Sequence, residues 1–108
     1  MPYTYKNIRG TNGLTQLVLP KTATTIQGAQ AVEYMYITNL TDDRSFNIGL
    51  ILKSKENTYY LFNNFTLPVG TTLKLDEEDM GYDNVTYDLY IKLNNIRDNV
   101  DIKIKTKL

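Results

Sequence analysis

The densest group of side chains able to do chemistry is Asp76-Glu77-Glu78-Asp79, with Asp83 four residues further on. Clustered carboxylate oxygens on a loop are what a hard cation such as calcium takes as ligands, so Asp76, Glu78, Asp79 and Asp83 are the candidate metal ligands. Their spacing does not follow that of an EF-hand loop. Two carboxylates could also serve a glycosidase, but a chain of 108 residues offers no groove to hold a sugar chain. An acidic run between two extended segments is most often a solvated turn, and that is the expectation here.

Cysteine and histidine are both absent. This excludes disulfides, Cys/His zinc sites, thiol nucleophiles and a histidine general base. Catalysis would have to use Lys, Tyr or carboxylates, and no spacing groups them into a set. The expectation is a protein without catalytic residues or cofactors, not an enzyme.

Tyrosine is the other chemically useful type, with nine in the chain. Tyr34, Tyr36, Tyr59, Tyr60, Tyr87 and Tyr90 could form an aromatic platform for sugars. Tyrosine also fills the edges of a core while its hydroxyl stays wet, and it is enriched at protein–protein interfaces. The second use carries more weight, which makes Tyr34, Tyr36, Tyr59 and Tyr60 candidates for a subunit contact. Lys103, Lys105 and Lys107 share one face of the last segment, where charge on an exposed or edge strand would block unwanted pairing. The three Asn-x-Thr triplets at Asn39, Asn64 and Asn84 are expected by chance among eleven Asn and fourteen Thr.

The elements that must position these residues all read as strands. The bias runs toward Thr, Tyr, Val and Ile, types that suit a pleated, half-buried surface. Val100, Ile102 and Ile104 alternate with Asp101, Lys103 and Lys105, and Val85, Tyr87, Leu89, Ile91 and Leu93 alternate with polar neighbours. The polar turn at residues 94–98 predicts a hairpin between these two. Residues 32–38 are apolar or aromatic on both alternating sets apart from Glu33 and Thr38, as in a strand covered on both sides or buried at an interface. Phe46, Ile48, Leu50 and Leu52 form an inward face, and residues 58–62 return as its hairpin partner. Leu67-Pro68-Val69-Gly70 turns the chain before a short strand at residues 71–75. Residues 14–19 and 22–26 flank Pro20 as edge strands, and residues 3–8 have weaker extended character. Seven or eight short strands predict one all-β domain over residues 1–108: an antiparallel two-sheet β-sandwich of immunoglobulin-like or jelly-roll-like type, with a small barrel as the alternative.

Twelve basic residues balance twelve acidic ones, and the pI is about 6.2. That lacks the electrostatic footprint of a nucleic-acid or membrane-surface binder, so neither partner is expected. The opening residues have neither region of a signal peptide, and no apolar run has the length of a membrane span, so a soluble protein made inside a cell is expected.

The order of segments resembles a group of small structural proteins of tailed bacteriophages, including T4-like phages of cyanobacteria and other marine bacteria. The matching pieces are Met1-Pro2-Tyr3-Thr4-Tyr5-Lys6-Asn7-Ile8-Arg9-Gly10, Gly28-Ala29-Gln30-Ala31-Val32 and Ile37-Thr38-Asn39. Asn47-Ile48-Gly49-Leu50-Ile51-Leu52, Tyr60-Leu61, Leu67-Pro68-Val69-Gly70 and Val100-Asp101-Ile102-Lys103-Ile104 follow in the same order. Related proteins often carry a Leu-Glu-x-Gly-Asp turn where this chain has the longer, more acidic run at residues 76–82. The resemblance implies a virion component, made in the host cytoplasm, that contacts other capsid, neck or tail proteins and copies of itself. The alternative is a small carbohydrate- or ligand-binding sandwich used in host adsorption.

Overall fold

Among the described residues, period-two alternation becomes eight strands: β1 Tyr3–Arg9, β2 Gly13–Leu17, β3 Val32–Asn39, β4 Phe46–Lys53, β5 Thr58–Leu67, β6 Thr72–Leu75, β7 Asp88–Leu93 and β8 Asn99–Thr106. The structure, a computed structural model, describes residues 3–10, 13–17, 32–79, 82 and 86–106. The strands form two four-stranded sheets, ordered β1-β8-β3-β6 and β2-β7-β4-β5. All six strand pairs are antiparallel. Pairing β1 with β8, β2 with β7, β3 with β6 and β4 with β5 nests the chain as one long hairpin folded across itself, which is a jelly roll. Of the two sandwich types expected, the strand order matches this one. The two sheets stay separate, so the sandwich is open and the barrel alternative is set aside.

The interior strands β3, β4, β7 and β8 turn apolar residues inward. Met35, Ile37, Ile102 and Ile104 of the first sheet and Leu50, Leu52, Leu89 and Ile91 of the second belong to one buried cluster. Burying each such side chain stabilises the fold by roughly 1.5–3 kcal/mol. Ile51, on the other side of β4, is also only 1% exposed. It registers between Tyr60 of β5 and Tyr90 of β7 on the outer face of the second sheet.

The β4–β5 hairpin forms as the sequence predicts. The predicted hairpin of β7 with β8 does not: β7 pairs with β2 and β4, and β8 pairs with β1 and β3 in the opposite sheet. The turn at residues 94–98 therefore carries the chain from one sheet to the other. In consequence β8 is an interior strand, and its lysines do not guard an edge. The edges are β1, β6, β2 and β5, so the segment starting at Leu14 is an edge strand as expected. Residues 22–26 lie outside the described residues, as does Lys107. β3 is interior but buried on one face only: Val32, Met35 and Ile37 are buried while Tyr34 and Tyr36 on the other side are half-buried.

One end of the sandwich is closed by hydrogen bonds among four connections. The Gly10 amide donates to the Asp98 carbonyl at 2.7 Å, joining the β1–β2 and β7–β8 connections. Buried Asn39 uses Nδ2 to reach the carbonyls of Arg44, Leu67 and Pro68, joining β3–β4 to β5–β6, and its Oδ1 accepts from the Thr41 amide. Arg44 donates to the Asp98 carboxylate at 2.8 Å, and Asp98 is 1% exposed. A buried amide and a buried carboxylate are tolerated here because each is satisfied by hydrogen bonds.

Candidate functional site

The outer face of the first sheet combines aromatic and cationic side chains in regular rows. On β1, Tyr3, Tyr5 and Asn7 lie opposite in direction to buried Ile8, so they face away from the core. Antiparallel register then sets Tyr3, Lys105 and Tyr34 in one row across the sheet, and Tyr5, Lys103, Tyr36 and Lys74 in a second. Asn7, Asp101, Thr38 and Thr72 make a third. A column of lysines on β8 thus runs between columns of tyrosines on β1 and β3.

The lysines are held by the rings beside them. Lys103 Nζ lies 5.3 Å from the Tyr3 centroid and 5.9 Å from those of Tyr34 and Tyr36. Lys105 Nζ lies 5.9 Å from Tyr3 and 6.0 Å from Tyr34, and Lys74 Nζ lies 5.7 Å from Tyr36. Each such contact at an exposed site contributes about 0.5–1 kcal/mol, which orders a side chain that would otherwise sample many rotamers. Tyr34 and Tyr36 are themselves paired, with centroids 5.0 Å apart, and Tyr3 and Tyr5 stack at 6.4 Å.

Charge on this face is only partly compensated. Glu33, the residue added at the β3 irregularity between Val32 and Tyr34, pairs with Lys105 at 3.2 Å. Hydrogen bonding to that carboxylate, reinforced by its charge, holds the Lys105 ammonium above its ordinary range. Among the described residues no carboxylate forms an ion pair with Lys74 or Lys103. In the third row, Asn7 Nδ2 donates to Asp101 and Asn99 at 2.9 Å. A shallow open depression lies where these rows meet, lined by Tyr5, Asn7, Tyr36, Thr38, Asp101 and Lys103.

The four tyrosines singled out from sequence are divided between the sheets. Tyr34 and Tyr36 stand on the face just described, whereas Tyr59 and Tyr60 lie on β5, the edge strand of the other sheet, and are 60% and 48% exposed. Tyr87 packs against the core cluster. The acidic segment is a turn built on its own side chains: Asp76 Oδ1 accepts from the amides of Glu78 and Asp79, and Asp79 Oδ2 accepts from the amide of Asp76. Asp83 lies outside the described residues. Among the described residues no three His, Cys, Asp or Glu side chains are grouped to hold a metal ion.

Sequence reasoning missed Tyr3, Tyr5 and Lys74 as members of the face. The period-two placement of Tyr3 and Tyr5 was the available signal, but their meeting with Tyr34 and Tyr36 depends on β8 lying between β1 and β3. It also missed the exposed apolar tips Leu40, Val69 and Ile96, which project from three of the connections at the hydrogen-bonded end. No protein-family model, curated protein or solved structure matches this chain.

Proposed function

We propose that this chain is a non-enzymatic structural protein of a tailed-bacteriophage virion, placed on the head, neck or tail and assembling in multiple copies. The observation that carries the reading is the nested pairing of β1 with β8 through β4 with β5, the jelly-roll arrangement found in viral capsid domains. It occurs in a chain whose segments resemble those of small phage structural proteins. The tyrosine and lysine rows give such a domain a broad, ordered face to set against a neighbour, and a small sandwich with four edges gains stability from neighbours. The test is immuno-electron microscopy with an antibody raised against the purified chain. Labelling of intact particles at a constant position supports the reading; label confined to the soluble fraction of the lysate rejects it.

A second reading, a carbohydrate-binding domain used in host adsorption, is favoured by the depression on the same face. Tyr5, 71% exposed, offers a ring for stacking, and Asp101 and Asn7 offer polar groups to sugar hydroxyls. A glycan array separates the two. Binding lost in Tyr5→Ala supports the second reading, and no binding to any glycan removes it.

A further inference from the structure

The outer face of the first sheet sets two different groups side by side. Tyr5 of β1 and Lys103 of β8 are directly opposite in register, which brings their Cβ atoms to about 5 Å. Their surroundings differ. Lys103 is fixed among the rings of Tyr3, Tyr34 and Tyr36, and among the described residues no carboxylate forms an ion pair with it. Lys74, at the far end of the same row, shares the Tyr36 ring with it and is likewise without an ion pair among the described residues. Lys105 is already taken, since Glu33 pairs with it at 3.2 Å. Tyr5 is 71% exposed, and among the described residues no cation lies over its ring, so an aromatic surface stays open beside the fixed ammonium. In the next row Asn7 holds the Asp101 carboxylate at 2.9 Å, and the Thr38 and Thr72 hydroxyls share a hydrogen bond at 2.8 Å.

We propose that this face recognises an acidic sugar, a pyranose within a glycan that carries a carboxylate on its own ring, as a hexuronic acid does. This rests on the carbohydrate reading above and deepens it by naming the ligand class. The apolar face of the pyranose stacks on Tyr5, and its carboxylate reaches the Lys103 ammonium in the neighbouring position, with Lys74 beyond. Hydroxyls on the other side of the sugar meet the row of Asn7, Asp101 and Thr38, where they donate to the Asp101 carboxylate. Charge sets the orientation, because Asp101 repels a carboxylate placed against it while Lys103 and Lys74 attract one. An ammonium already ordered against rings loses little rotamer freedom when the ligand arrives. A hydrogen bond between charged groups is also stronger than a neutral one, so an acidic sugar gains at Lys103 what a neutral sugar does not.

The experiment is calorimetric titration of the purified chain with three probes: an oligoglucuronate, the same oligosaccharide with its carboxylates reduced to alcohols, and a sulfated neutral oligosaccharide. The oligoglucuronate is expected to bind at least about tenfold more tightly than the reduced form at low salt, with the preference shrinking as salt is added. Lys103→Gln should abolish the preference and leave the affinity for the reduced form unchanged. Tyr5→Ala should weaken both, and Lys92→Gln, on the outer face of the second sheet, neither. Should Lys103→Gln fail to fold, the comparison of the two oligosaccharides on the wild-type chain decides alone. Equal affinity for the two forms overturns the acidic-sugar proposal and leaves the carbohydrate reading standing, whereas a chain that binds no glycan at all removes both. The sulfated probe bound as tightly as the oligoglucuronate, through the same lysine, would show a site for any anionic sugar and overturn the assignment to a carboxylate. Polyglutamate bound as tightly, and unaffected by Tyr5→Ala, would make this a docking face for acidic protein and overturn the proposal as well.

Discussion

Gly10 has no room for a side chain. A Cβ built there would sit 1.7 Å from the Asn95 carbonyl oxygen, a backbone atom that cannot swing aside. Gly10→Ala must therefore separate the β1–β2 and β7–β8 connections, and it is expected to cost about 3 kcal/mol, seen as a lower urea midpoint. The Arg44–Asp98 pair makes a second prediction at the same end. Arg44→Met leaves a carboxylate that is 1% exposed without its cation, at a cost of roughly 3 kcal/mol. Adding Asp98→Asn should recover part of that loss in a double-mutant cycle; purely additive effects would show that the pair is not coupled. Tyr82 sets the alkaline limit. Burial, with a smaller contribution from the Asp88 charge, raises its hydroxyl well above the ordinary 10.0. The folded chain thus holds this proton more tightly than the unfolded one. The stabilisation is complete below pH 10.0 and declines above it, by up to about 1.4 kcal/mol per pH unit. Denaturant midpoints measured on both sides of that pH should fall less steeply in Tyr82→Phe than in the wild type.

Among the elements, β5 shows how an edge is kept from pairing with strangers. It has ten residues against eight in β4, and its register slips between Ile48 and Leu50 and again between Leu50 and Ile51. The surplus residues bulge from β5, and Asn64 within it has φ 55°, the left-handed region where Asn is among the better tolerated types. Asn64→Val should cost about 1–2 kcal/mol and Asn64→Gly almost nothing by chemical denaturation; equal costs would mean that the side chain and not the backbone matters. The bulges were not legible in the sequence, because Thr58-Tyr59-Tyr60-Leu61-Phe62 reads as an ordinary strand whichever residue is skipped. The strands themselves were legible, since Phe46, Ile48, Leu50 and Leu52 or Val100, Ile102 and Ile104 can bury a common face only as extended chain. Pairing was legible only where the connection is short and local, as in β4–β5. For β7 and β8 the alternation is the same whether they share a sheet or face each other across the core. Their partners β1, β2, β3 and β4 lie far away in sequence, so the turn at residues 94–98 could not discriminate. The same gap hid the candidate site: Tyr34 and Tyr36 were visible as unusual, but Tyr3, Tyr5, Lys74 and Lys103 join them only through the order β1-β8-β3-β6.

At the scale of the whole molecule, the groups that hold the sandwich together are distinct from those that face outward. Met35, Ile37 and Ile102 are buried in the core, and truncating any of them to Ala should cost about 2–5 kcal/mol. Tyr34 and Tyr36 are half-buried on the outer side, so Tyr34→Ser with Tyr36→Ser should weaken assembly more than folding. Loss of the folded monomer in that variant would instead make them core residues. We propose that this domain is a repeated part of a virion. A mass-spectrometric inventory of purified tailed-phage particles, with copy number scaled to the major capsid protein, tests that proposal most directly. The chain is expected in many copies per particle at a constant ratio to that protein. Its absence from clean particles would contradict the claim.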